Sequence, residues 1–122
     1  MTRARLSLGR RGEQLAEQKL TASGYAIVAR NYRCVSGEID LVARSAGTLV
    51  FVEVRTRRGE KFGTPEASIT LRKRRHLVAA AQSYLQENLL TEAAWRIDVV
   101  AVALSEKGEL VRVEIIENAI QG

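Results

Sequence analysis

Two periodicities alternate along the chain. From about Leu8 to Ala22, residues Leu8, Gly12, Leu15, Ala16, Lys19 and Leu20 recur at helical spacing, and Ser23-Gly24 ends the run. That pattern predicts a first helix. Tyr25 to Cys34 alternates less strictly and leads into a turn at Val35-Ser36-Gly37. Glu38 to Arg44 alternates cleanly, which predicts a strand with Ile39, Leu41 and Ala43 on one face and Asp40 and Val42 on the other. After a turn at Ser45-Ala46-Gly47, Leu49 to Thr56 is almost unbroken in apolar residues. A run of that kind reads as a central strand buried on both faces. The short connections make these three strands an antiparallel meander.

Arg57 to Ser68 reads as a loop rich in Gly, Lys and Arg, and it holds the only proline, Pro65. Helical spacing returns from about Thr70 to Leu90, with Leu77, Val78, Ala81, Tyr84, Leu85 and Leu89 as the apolar stripe. Two closing strands are predicted near Trp95 to Leu104 and Glu109 to Glu117, around a Glu106-Lys107-Gly108 turn. The order is αβββαββ. The second helix is long enough to serve as a crossover, so the expected class is α/β, a mixed sheet flanked by helices.

Length and composition narrow the picture. A chain of 122 residues with 46% hydrophobic residues is expected to form one domain over 1–122 with a real core. No internal repeat, linker or low-complexity stretch interrupts it. No apolar run approaches the ~18 residues of a membrane span. The basic segment Met1 to Arg11 has no apolar stretch after it, which argues against a signal peptide. Cys34 is the only cysteine, so no internal disulfide forms. That suits a reducing compartment, and the expected location is the cytoplasm. With 19 Lys and Arg against 14 Asp and Glu, the net charge is +5. A basic balance suits a polyanion partner, although ordinary solubilising charge gives the same sum.

Candidate chemistry begins at Val50-Phe51-Val52-Glu53-Val54-Arg55. On a strand, Phe51, Glu53 and Arg55 share one face and the three valines the other. A carboxylate in the middle of a buried strand is costly unless it is paired or bound to metal. A local Glu53–Arg55 pair is the simplest explanation. Asp40, within Gly37-Glu38-Ile39-Asp40-Leu41-Val42, interrupts the preceding strand in the same way. In a hairpin, Asp40 and Glu53 can come close on one face. Two facing carboxylates repel, and a hard divalent cation relieves the repulsion. Mg²⁺ held by one or two carboxylates, phosphate and water fits this arrangement. Two separate ion pairs to nearby arginines are the alternative.

Basic residues gather beyond this pair. Arg55, Arg57, Arg58 and Lys61 follow directly, and Arg72, Lys73, Arg74 and Arg75 open the second helix. Cations in a first helical turn oppose the helix dipole by about 0.3–1 kcal/mol each at low salt. A phosphate backbone would relieve that conflict and be held without sequence being read. A solvated charge run is the alternative. His76 reads as a helix-surface residue and Cys34 as a strand residue without a catalytic partner. Asp98 is expected to pair with a basic residue across the sheet. Trp95 and Tyr84 read as core. Aromatics make up only 5% of the chain, which gives no support to a stacking platform for single-stranded bases.

An acid followed by Glu-x-Lys on the next strand is the active-site pattern of the PD-(D/E)xK nuclease superfamily, which includes archaeal Holliday-junction resolvases. Asp40, Glu53 and Arg55 resemble it. More closely, the chain resembles the YraN family of small, largely uncharacterised bacterial proteins. The resemblance rests on Gly9, Gly12-Glu13, Ala16, Gly24-Tyr25, Asn31-Tyr32-Arg33, Gly37 to Val42 and Phe51 to Arg57. Phe62-Gly63, Pro65, Lys73-Arg74-Arg75 and Ile97 to Val100 complete it.

The resemblance implies a restriction-endonuclease-like αβββαβ core. It implies that Asp40 and Glu53 hold Mg²⁺ or Mn²⁺, with the Val54 carbonyl as third ligand. It places Glu13 beside the site, where a solvent-facing helix glutamate is the alternative. It departs at Arg55, where the pattern has lysine. Arginine grips phosphate in a bidentate way but cannot act as a base.

The expected function is therefore a metal-dependent endonuclease that binds nucleic acid, DNA ahead of RNA and branched DNA among its substrates. Asp40, Glu53, Arg55 and Glu13 would be catalytic. Arg57, Arg58, Lys61, Arg72, Lys73, Arg74 and Arg75 would meet phosphates. No membrane partner is expected, and a homodimer is open. Two alternatives stand beside it. One is a nucleic-acid-binding module that cuts weakly or not at all because of Arg55. The other is an adaptor whose basic surface meets an acidic protein.

Overall fold

The structure, a computed structural model, describes residues 3–61 and 63–121. Phe62, one of the residues that carry the family resemblance, lies outside them. The elements run α1 (Arg3–Ala22), β1 (Ala26–Cys34), β2 (Gly37–Ser45), β3 (Thr48–Arg58), a 3₁₀ turn (Glu66–Ser68), α2 (Leu71–Glu87), β4 (Trp95–Leu104) and β5 (Leu110–Ile120). The five strands form one sheet in sequence order. Neighbours are antiparallel except β3 and β4, which run parallel from Leu49↔Trp95 to Arg58↔Leu104. The α2 crossover is what a parallel pair requires. The predicted α/β class with a mixed sheet is observed.

The sheet separates two apolar layers. On one face Leu20 and Ala16 of α1 pack on Val50, Val52, Val100 and Val102. On the other, Leu77, Ala81 and Leu85 of α2 pack on Phe51, Val42 and Ile97. The central strand is thus buried on both sides, as its unbroken apolar run predicted. Phe51 meets Tyr84 and Trp95 edge-on, with ring centroids 5.6 and 5.8 Å away. Both aromatics belong to the core region, Tyr84 buried and Trp95 half-buried.

Several boundaries differ from the sequence pattern. The strand β3 runs past Thr56 to Arg58, because its parallel ladder with β4 continues to the end of that strand. Arg57 and Arg58 are therefore strand residues, not loop residues. Helix α2 stops at Glu87, where Asn88 Nδ2 donates to the Tyr84 carbonyl. Leu89 then takes a left-handed conformation (φ 55°) and is exposed, so it does not belong to the apolar stripe. Leu90 packs against the α2-side core instead.

The face assignment in β2 also changes. Leu41 and Ala43 pack toward α1, but Ile39 packs with Val42 toward α2. Strict alternation fails because the β2–β3 ladder begins only at Leu41↔Val52. On the far side of that pair the strands part, and Asp40 sits at the fork.

Candidate functional site

The fork replaces a strand-to-strand bond with a side-chain bond. Asp40 Oδ2 accepts the Val54 backbone N–H at 2.7 Å. This satisfies a donor that β2 no longer serves and fixes the carboxylate between the strands. Glu53, the preceding residue on β3, is 3% exposed. It lies on the Phe51 face, as the period-two reading required. Its pKa is pushed up to about 8, first by burial and then by the charge of Asp40, with Lys73 and Arg55 opposing. The Asp40 charge thus bears directly on Glu53.

Two cations approach Glu53. Arg55 Nε and Lys73 Nζ each stand 3.6 Å from Glu53 Oε2. Both distances exceed hydrogen-bond length, so each contact is a charge attraction only. Arg55 Nε is buried and has no hydrogen-bond partner in the structure. Lys73 comes from the first turn of α2, where its backbone N–H is capped by Thr70 Oγ1 at 3.1 Å. Its ammonium meets an acid, which offsets the unfavourable place of a cation at a helix start.

Above the pair opens a cleft of about 360 Å³, lined in part by Glu13, Asp40, Val54, Arg55, Arg57 and Ser68. Glu13 reaches it because α1 crosses β3 closely at Gly12. A Cβ there would stand 1.9 Å from Thr56 Oγ1. Burial first, then the charges of Asp40 and Glu38, raise the pKa of Glu13 above the usual carboxylate range. A smaller recess of about 120 Å³ flanks Asp40 on the β1 side, bounded by Arg10, Glu13, Glu17, Arg30 and Asn31. There Arg30 forks onto Glu17 and ties β1 to α1.

Among the described residues no three His, Cys, Asp or Glu side chains converge closely enough to hold an ion by themselves. A cation there would draw on the Asp40 carboxylate in the cleft, the buried Glu53 carboxylate beside it and a backbone oxygen such as that of Val54. Two hard anionic oxygens with room for water match Mg²⁺ or Mn²⁺ and not a thiophilic metal.

The basic residues have different immediate surroundings. Arg57 lines the acidic cleft. Arg58 donates from Nε to the Glu106 carbonyl at 2.8 Å, which holds it against the β4–β5 turn. Lys61 and Arg72 are exposed. Lys73 turns to Glu53. Arg74 and Arg75 line a separate groove of about 650 Å³ between α2 and the end of β5. Neighbouring helix residues are offset by the 100° helical step, so the four cations of this run are spread around the start of α2.

Asp98 is fully buried and spoken for. It accepts from Tyr25 Oη at 2.8 Å, Arg96 Nε at 2.9 Å and the Asn118 backbone N–H at 2.9 Å. The expected basic partner is present, but on its own strand; the cross-sheet partner is the N–H of Asn118, freed by a bulge in β5. Burial and the Asp98 hydrogen bond push the Tyr25 phenol up to about 12. His76 is exposed and Cys34 is half-buried beside the Gly37 carbonyl. Ser68, which the sequence reading passed over, lines the cleft from a short 3₁₀ turn that carries no pattern of its own. Arg112, also missed, bonds Glu66 at 2.7 Å and moors that turn to β5.

The chain matches the uncharacterised protein family UPF0102 over residues 12–102. A UPF0102 protein of Symbiobacterium thermophilum is 49% identical over 112 residues, 92% of this chain and 94% of that one. One of Roseiflexus castenholzii is 46% identical over 122 residues, 99% of this chain and 98% of that one. Among solved structures, Pyrococcus furiosus SfsA in complex with Ca²⁺ aligns at a TM-score of 0.40 and 16% identity. This chain is covered to 98% and spans 65% of that one, a likeness too distant to bear on the site. The chain belongs to the UPF0102 family, the YraN family that its motifs resemble.

Proposed function

We propose that the chain is a metal-dependent endonuclease that hydrolyses phosphodiester bonds in DNA at the β2–β3 fork. The observation that carries this reading is the placement of Asp40 and Glu53 at the strand fork, with Asp40 fixed on the Val54 N–H in a cleft rimmed by Arg55 and Arg57. Arg55 adds to it, because its side chain lines the cleft and is part-exposed to an incoming phosphate. In the reaction, water oxygen attacks phosphorus, the P–O ester bond breaks, and the leaving oxygen departs as an alcohol with a proton. A divalent ion held by Asp40 and Glu53 would supply Lewis acidity there and make the attacking water easier to deprotonate.

The side chains supply the rest. Asp40 keeps its orientation through the Val54 N–H. Arg55 and Arg57 bind the phosphate oxygens and stabilise the charge that develops on them. Glu13, with its raised pKa, accepts a proton from the attacking water more readily than an ordinary carboxylate.

The test is cleavage of labelled DNA duplexes and four-way junctions in Mg²⁺ or Mn²⁺. The expected result is metal-dependent cutting that Asp40→Asn abolishes. Equal cutting by that variant would mark a contaminating nuclease and refute the reading. A second reading, DNA binding without cleavage, rests on Arg55, which cannot take a proton from water. It gains if wild type and Arg55→Lys both bind DNA and neither cuts.

A further inference from the structure

The two cations beside Glu53 are not equivalent. Arg55 sits two residues away on the same strand and its Nε is buried, so it is fixed relative to Glu53. Lys73 arrives from another element on a flexible stem, and a third of its side chain is exposed. Its 3.6 Å contact with Glu53 has no hydrogen bond to hold it. A divalent ion that binds Glu53 must take over the space and the charge that the ammonium now supplies.

We propose that Lys73 is a stand-in cation: it attracts the ionised form of Glu53 in the metal-free protein, gives way to the divalent ion, and then binds a phosphate of the substrate. This rests on the reading of Asp40 and Glu53 as a divalent-ion site. Once displaced, Lys73 stands in a first helical turn without its acid, where a cation opposes the helix dipole. An anion in the adjoining cleft relieves that conflict, and a phosphodiester oxygen is the anion that the proposed reaction brings there. Lys73 thus couples the two ligands. It competes with the metal and cooperates with the nucleic acid, so its removal moves the two affinities in opposite directions.

The test uses the full chain, Mn²⁺ alone by isothermal titration calorimetry, and a labelled DNA duplex with Ca²⁺ by anisotropy. Lys73→Met keeps the stem and removes the charge. The expected result is Mn²⁺ binding about tenfold tighter than wild type, together with duplex binding about fivefold weaker. Lys73→Arg keeps a competing cation and is expected to stay near wild type in both. Lys73→Gln serves as a second uncharged variant should the methionine form fail to fold. Mn²⁺ affinity equal to or below wild type in the uncharged, folded variants overturns the proposal while leaving the metal site standing. Failure of wild type itself to bind Mn²⁺ overturns both the proposal and the reading beneath it.

Discussion

Glu53 combines burial with charge more sharply than any other residue of the candidate site. Its pKa is raised from 4.5 to about 8, so the folded protein holds a proton there that the unfolded chain releases near 4.5. The contribution to stability is full below about 4.5 and is lost as pH rises through about 8. Glu53→Gln is therefore expected to flatten the pH dependence of thermal unfolding over that window in metal-free buffer. At pH 8 it should stabilise the fold by about 1–2 kcal/mol. An unchanged pH dependence in the variant would show that Glu53 is ionised throughout that window. Asp98 differs from Glu53 in that both its carboxylate oxygens are hydrogen-bonded. Asp98→Asn is expected to cost about 3 kcal/mol or more in chemical denaturation, because it strands Arg96 beside a neutral amide. Tyr25→Phe, which removes one of those bonds, should cost about 1 kcal/mol.

At the scale of elements, the site depends on two close approaches. The first is α1 on β3 at Gly12, where any Cβ meets Thr56 Oγ1. Gly12→Ala is expected to destabilise by about 1–3 kcal/mol, and adding Thr56→Ala should restore part of the loss. Simple additivity of the two losses in urea denaturation would contradict that contact. The second is the parting of β2 from β3 at Asp40. Much was legible beforehand. The apolar run of β3 and the period-two spacing of Phe51, Glu53 and Arg55 placed a buried acid on a central strand correctly. The fork was not legible, because it depends on a bond between Asp40 and the backbone of Val54, fourteen positions on. The end of α2 was misread for a similar reason. Leu89 fits the helical stripe by spacing alone, yet the Asn88 side chain bonds the Tyr84 carbonyl and closes the helix before it.

At the scale of the molecule, a net charge of +5 says less than where the cations go. The sequence presents Arg57 and Arg58 as equals, and Arg72 to Arg75 as one run. The fold sends Arg57 to the cleft, Arg58 to the Glu106 carbonyl, Lys73 to Glu53, and Arg74 with Arg75 to a separate groove. Neighbours in sequence therefore have different consequences for polyanion binding. Arg57→Ala is expected to lower the slope of log affinity for duplex DNA against log salt by about 1, whereas Arg58→Ala should leave it nearly unchanged. Equal slopes for the two variants would mean that the cleft is not where phosphate lies.

No helix among the described residues is long and apolar enough to cross a membrane. Of the cations, Arg55 and Arg57 line the cleft beside Asp40, and Arg74 and Arg75 line the groove. The most direct measurement of the acidic pair is anomalous X-ray scattering from crystals of the protein soaked in Mn²⁺. The expected result is a peak between the Asp40 and Glu53 carboxylates that disappears in Asp40→Asn. A well-ordered fork with no peak there, or a peak that survives the substitution, would contradict the assignment of these two acids as a metal site.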